Sequence, residues 1–264
     1  MSKHVYLSLA KYHANNKYRK QLAIHPLMNS LSTKSSPPNF DLKNKIISIY
    51  DQGSIGSCTS NAICQALRMT QKYHHFNPSR LYLYAKERVI EANGNTNISD
   101  SGADAIDGLN QLEKYGVCSE SLYPYIESKV NDIPPPSCDI DASHHKIHSI
   151  GKLCSDDAST NDKITAIEHV ISSGIPVLVG IQVYESFESD QVASNGVVPL
   201  PNISTEKLLG GHEVLIVGYD HNIKKFILVN SWGGSWGNHG YFTLDYEYIT
   251  NPDLSSELIC ITQA

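Results

Sequence analysis

From Cys58 onward, apolar residues return at helical spacing: Ala62, Ile63, Ala66, Leu67 and Met69 form one stripe. That pattern predicts a largely buried helix. A second helix is expected over about Ser79 to Ala92, with Pro78 in its first-turn region. A third is expected over Asp104 to Tyr115, stopped by Gly116 as a C-cap. After residue 145 the character changes. IPVLVGIQV (175–183), EVLIVGYD (213–220), KFILVNS (225–231) and GYFTLDY (240–246) are short, rich in β-branched residues and separated by turn signals. One helix, Asp162 to Ser173, precedes them, and residues 185–211 read as a long excursion. The interval DIPPPSCDIDASHHK is loop-like and marks the change of lobe. Helices first and strands later predict an α+β protein of two lobes, helical over about 39–140 and strand-rich over about 141–264.

Residues 1–38 are polar and end in SLSTKSSPPNF, whose paired prolines break regular structure. Two readings stand: a loose tail, or a short pro-like segment lying on the body. Composition narrows the partners. A formal net charge of −6 without a basic stripe speaks against nucleic acid and acidic membranes, which favour basic surfaces. No stretch reaches the roughly 20 apolar residues of a membrane span, and the first residues hold no signal-peptide core. Six cysteines without a C-x-x-C pair argue against structural zinc and suit a reducing compartment. His144, His145 and His148 read as a solvated loop, so neither metal nor cofactor is implied.

Within DQGSIGSCTSNAICQALRM (51–69) a glycine- and serine-rich turn runs straight into the helix, with Cys58 at the junction. Free N–H groups in a first helical turn favour a thiolate, and a nearby imidazolium favours it more. GGHEVLIVGYD supplies His212 at the entry to a strand; KFILVNSWGGSWGNHGY supplies Asn230 at the end of another, then both tryptophans, Trp232 and Trp236. His and Asn at the ends of neighbouring antiparallel strands can meet, and an indole beside them would shield their hydrogen bond. Gln52, on the turn before Cys58, can join the Cys58 N–H as an oxyanion donor.

Gln52-Gly53-Ser54-Ile55-Gly56-Ser57-Cys58, His212 and Asn230-Ser231-Trp232-Gly233…Trp236-Gly237…Gly240-Tyr241 resemble the papain (C1) cysteine peptidases, in that family's order. Gly116-Val117…Ser119-Glu120…Tyr123-Pro124-Tyr125 and Val217-Gly218-Tyr219-Asp220 add to the likeness, which covers about residues 40 to 250. His212 and Asn230 lie further from the Cys than the family's roughly 130–150 residues, and insertions near 93–103 and 185–211 would account for that. The resemblance implies a papain-like fold, with the Cys helix in one lobe, His and Asn in an antiparallel barrel-like lobe, and a peptide or protein substrate in the cleft between them. It implies Cys58 as nucleophile, His212 as base and later acid, Asn230 orienting the imidazole, Gln52 stabilising the oxyanion and Trp232 covering the His–Asn bond. A cysteine-type endopeptidase follows, acting as a monomer. A catalytically silent binding relative, or a transglutaminase, deamidase or isopeptidase on the same chemistry, are the alternatives.

Departures from the family pattern sharpen this. Ile55 stands where secreted members carry a disulfide cysteine and Thr59 where an aromatic is usual; Gly-Ser-Cys-Thr resembles bacterial and large-virus members, so a cytoplasmic or virion-associated location is expected. Glu213, in a position that lines the pocket for the second residue upstream of the cut (P2), can select Lys or Arg there, or turn to solvent. Gly211 is expected beside it. Gly102, in Asp100-Ser101-Gly102, stands where the family has a glycine-rich substrate-binding stretch, with a simple turn as the competing explanation. Residues 1–38 are shorter than the usual inhibitory pro-segment, yet long enough to cross the cleft.

Overall fold

A computed structural model describes residues 22–25, 28, 36–70 and 75–263. Four helices form one side: α1 (Cys58–Met69), α2 (Arg80–Glu91), α3 (Ala105–Lys114) and the short α4 (Pro136–Ala142). The other side is an antiparallel sheet of β1 (Asn39–Asp41), β2 (Ser149–Lys152), β3 (Val177–Tyr184), β4 (Leu208–Asp220), β5 (Lys225–Val229), β6 (Tyr241–Asp245) and β7 (Ser255–Gln263). Helices α5 (Thr160–Ser172), α6 (Asp190–Asn195) and α7 (Tyr246–Thr250) accompany it. Strand order is β2-β7-β3-β4-β5-β6, with β1 added on β4. This is the α+β, two-lobe papain-like arrangement.

Helix α1 is the spine. It packs on α2 and α3 on one side and on β4 on the other, so every one of its residues is buried. Its apolar stripe accounts for only part of that. Four of its polar residues find partners in this packing: Thr59 Oγ1 donates to Glu87, Ser60 Oγ and Asn61 Nδ2 donate to the Ser57 carbonyl, and Arg68 donates to Ser48 Oγ.

Several expectations are adjusted. Pro78 lies before α2 rather than within its first turn; Ser79 is the N-cap, accepting from the Tyr82 N–H, and Pro78 bridges to Ser119. The interval read as loop around residue 138 contains α4, with Pro136 as its first residue, where proline's missing N–H costs nothing. His212 is inside β4 and not at its entry, because β4 begins at Leu208 and runs through the Gly210-Gly211 pair. Strands β1, β2 and β7 were not read from sequence, and β1 places residues 39–41 on the sheet. Gly116 does close α3: its φ is +85°, its N–H reaches the Gln111 carbonyl, and a side chain there would collide with the Ala142 carbonyl.

Of residues 1–38, the described ones lie along the sheet. Ile24 bridges Lys152 of β2 in parallel, and the His25 N–H donates to the Lys152 carbonyl at 2.8 Å. The rest of that segment lies outside the described residues. Among the described residues, no helix is long and apolar enough to cross a membrane.

Candidate active site

Cys58 opens α1, so its N–H has no partner within the helix. Its sulfur accepts a hydrogen bond from the Glu213 backbone N–H, which seats the thiol against β4 one residue from His212. Here an expectation is corrected. The helix start was expected to leave the thiol easily ionised, but burial pushes it up to about 12, against the pull of the Glu213 and Thr59 N–H groups. The negative charges of Glu213 and Glu87 push the same way as burial. The thiol therefore needs a proton acceptor at hand to become a thiolate.

The sheet supplies one. Leu215 of β4 is opposite Val229 of β5; one step further, Asn230 comes opposite Val214, diagonal to His212 on the same face. The side chains meet there, with His212 Nε2 2.8 Å from Asn230 Oδ1. That oxygen also accepts from the Ser231 N–H at 2.8 Å, which fixes it as the acceptor. Nε2 of His212 then carries the proton and Nδ1 is the free base. The indole of Trp232 stacks on the imidazole, ring centres 4.9 Å apart. Phe187 and Trp236 meet that indole edge-on, Trp236 at 5.0 Å. His212, Asn230 and Trp232 are all buried, which strengthens the bond between the first two.

Gln52 is held by the same loop. The Gln52 N–H donates to the Ser231 carbonyl, and the Gly233 N–H to the Tyr50 carbonyl, so Asp51 and Trp232 pair as a short antiparallel bridge. Ser231 Oγ donates to Gln52 Oε1 at 2.7 Å, and Gln52 Nε2 gives one proton to the Ile55 carbonyl at 3.0 Å. Its second amide proton remains for a ligand.

Sequence reasoning missed the braces around this turn. Tyr125 donates to the Gln52 carbonyl and hydrogen-bonds Ser57 Oγ. Glu127 accepts from the Ser54 N–H at 2.9 Å and from its hydroxyl. Gly53, with φ +61°, lies where a side chain would strike that carboxylate. The Arg80 guanidinium sits between the Tyr50 and Tyr125 rings, bonded to Glu120 and to the Asp51 carbonyl. Only Glu120 and the Tyr-Pro-Tyr of the family-like motif hinted at any of this. Partners such as Glu127 and Arg80 are remote in sequence and carry no local signal.

Gly102 has φ +71°. Its N–H donates to Tyr84 Oη, which donates to Asp100; the same carboxylate accepts from the Gly56 N–H. The stretch is thus tied to the turn before Cys58. Beside His212 a cavity of about 20 Å³ is lined by Thr59, Ala103, Asp104, Gly211, Glu213 and Glu257, among others. Among the described residues, no three His, Cys, Asp or Glu side chains gather as metal ligands.

Residues 36–261 match the model of the papain family cysteine proteases. The chain belongs to that family. An uncharacterised peptidase C1-like protein of Acanthamoeba polyphaga mimivirus is 35% identical over 93% of this chain and 81% of its own length. Digestive cysteine proteinase 3 of Homarus americanus is 28% identical over 81% of this chain and 63% of its own. The crystal structure of xylellain, a cysteine protease from Xylella fastidiosa, superposes with a TM-score of 0.81 at 31% identity, covering 100% of this chain and 97% of that one. As a papain-family member, the protein is a cysteine peptidase.

Proposed function

We propose that the protein cleaves peptide bonds within polypeptides through Cys58, with His212, Asn230 and Gln52 as its partners. The observation that carries this assignment is the buried His212–Asn230 pair beneath Trp232, on the strand whose next N–H bonds the Cys58 sulfur. His212 Nδ1 takes the thiol proton, and the thiolate adds to the scissile carbonyl carbon. The oxyanion forms between the Cys58 N–H and the second Gln52 Nε2 proton. The imidazolium gives its proton to the departing amine nitrogen, leaving a thioester on Cys58. Water, deprotonated by His212, then releases the acid and restores the thiol. Asn230 keeps Nε2 occupied, so Nδ1 is the nitrogen that works.

The test is covalent labelling of Cys58 by an epoxide thiol-protease inhibitor, with product analysis on peptides with and without an amine acceptor. Labelling with hydrolysis products supports the assignment. An unlabelled thiol would mark a silent binding relative, and amine-transfer or deamidated products would mark a different acyl-transfer enzyme.

The substrate side rests on the cavity beside His212. Glu213 lines it with Asp104 and Glu257, and a Glu213 carboxylate meeting the substrate there would favour Lys or Arg at P2. Gly211 lines it as well, Trp232 stacks on the neighbouring His212, and Gly102 has its carbonyl to offer a substrate, now held by Ser101 Oγ, its N–H being committed to Tyr84. A peptide-library profile that is the same for wild type and Glu213→Ala would refute the basic P2 preference. Residues 1–38 act as the restraining segment of a monomeric zymogen-like form; equal activity after their removal on a small peptide would refute that. The Gly-Ser-Cys-Thr turn, with a mimivirus relative and xylellain among the similar proteins, supports a place in the bacterial and large-virus branch and a cytoplasmic or virion-associated setting.

A further inference from the structure

All six cysteines are free thiols, yet two of them are neighbours. Cys118, just beyond α3, and Cys138, in α4, lie close enough for each thiol to shift the other's pKa. Both are fully buried. The segments that carry them are tied together nearby, residues 116–119 against 141–145, at three points. The Val117 N–H meets the His145 carbonyl at 3.3 Å, the Ser119 N–H meets Asp141 Oδ2 at 2.8 Å, and Gly116 has no room for a side chain against the Ala142 carbonyl. Cys64 is buried in the same core.

The segment these two residues enclose is the one that braces the oxyanion turn. Glu120 holds Arg80, Tyr125 bonds Ser57 and the Gln52 carbonyl, and Glu127 caps Ser54. None of these three contacts involves either cysteine, so the brace stands in the dithiol form. A covalent link across its two ends would fix the loop they close.

We propose that Cys118 and Cys138 form a reversible dithiol–disulfide pair whose oxidised form locks the 119–137 brace beneath the oxyanion turn. The oxidant class is a small disulfide such as oxidised glutathione. One cysteine thiolate attacks a glutathione sulfur, expelling one glutathione thiolate and leaving a mixed disulfide. The second cysteine thiolate attacks the protein sulfur of that mixed disulfide and expels the other glutathione. Two protein thiols lose two hydrogens, and one glutathione disulfide becomes two glutathiones. Burial pushes both thiols up, so exchange takes place as the chain folds or when the segment opens. The pair is independent of whether the chain cleaves peptides.

The experiment uses full-length Cys58→Ala protein, so that the nucleophile cannot compete, folded in glutathione redox buffer and compared with a dithiothreitol-reduced sample. Expected are non-reduced peptides linking Cys118 to Cys138, two hydrogens lighter than the sum of the free peptides. The thermal midpoint should rise by roughly 5 °C or more, from the entropy of closing a loop of this length, and dithiothreitol should reverse the rise. Cys118→Ala and Cys138→Ala should each abolish the link and the rise. Recovery of both thiols unlinked, linkage of Cys118 to Cys64, or linkage with an unchanged midpoint would each overturn the proposal. The peptide map needs no variant at either cysteine, so it decides the matter even where those variants fold poorly.

Discussion

His212 Nε2 lies 2.8 Å from Asn230 Oδ1, with the Trp232 indole stacked across the imidazole. Breaking that bond leaves the ring free to turn and to choose the wrong tautomer. Asn230→Ala should therefore lower kcat by about 10²-fold or more with KM little changed. Steady-state kinetics on a fluorogenic peptide would check this, and a variant with full kcat would remove Asn230 from the mechanism.

Gln52 does two jobs in the proposed mechanism, since Oε1 ties it to Ser231 while Nε2, which gives one proton to the Ile55 carbonyl, has a second for the oxyanion. Gln52→Glu keeps an oxygen for Ser231 and removes the amide donor. A loss of kcat of about 10²–10³-fold, with a thermal midpoint near that of the parent, is the expected signature. Loss of stability without a specific loss of kcat would mean that the residue only holds the loop.

The Cys58 thiol is pushed up to about 12, chiefly by burial, and the Glu213 carboxylate adds to that rise. Removing a negative charge stabilises the thiolate. With His212→Ala as background, the pH profile of iodoacetamide alkylation of Cys58 should move to lower pH in Glu213→Gln. A profile that stays put or moves upward would contradict the electrostatic reading.

Glu87 is fully buried under the nucleophile helix, and burial holds its carboxyl well above the usual range, with Thr59 donating to Oε2. A group whose folded pKa exceeds its unfolded one contributes stability below the unfolded value, and that contribution is lost as pH rises through the folded one. Glu87→Gln keeps the acceptor for Thr59 and cannot ionise. Its thermal midpoint should match the parent near pH 4 and exceed it increasingly toward alkaline pH. Melting curves across that range check it; a constant offset would mean that Glu87 does not titrate with folding.

Tyr125→Phe keeps the ring on which Arg80 rests and deletes the hydroxyl that joins Gln52 and Ser57. Leaving buried partners unsatisfied costs about 1–3 kcal/mol, which denaturant titration would register. Activity should fall with it, because the lost bonds lie directly behind the oxyanion turn.

The sequence carried α1, α2, α3, α5 and the inner strands, because their patterns are local: the stripe after Cys58, the β-branched runs around Leu215 and Leu228. It carried the meeting of His212 with Asn230 as well, since His212 precedes one of those runs and Asn230 stands at the end of another. It did not carry β1, three residues long and meaningful only beside β4, nor the start of β4, where Gly210 and Gly211 hide a strand behind turn residues. Nor did it carry the ionisation of Cys58. A helix start is visible in sequence, whereas the burial that outweighs it depends on β4 packing across the junction. Glu87 beneath Thr59 and the Tyr125 brace are long-range pairings of the same kind.

The Asp51–Trp232 bridge also bears on synthesis. The thiol and its amide donor leave the ribosome long before His212, Asn230 and the loop that pins them. Until that loop emerges, the turn before Cys58 lacks its backbone partner and the thiol lacks its proton acceptor. With the roles proposed above, competence to cut arrives only once the 230–233 loop is made, so a half-made chain would not damage its neighbours.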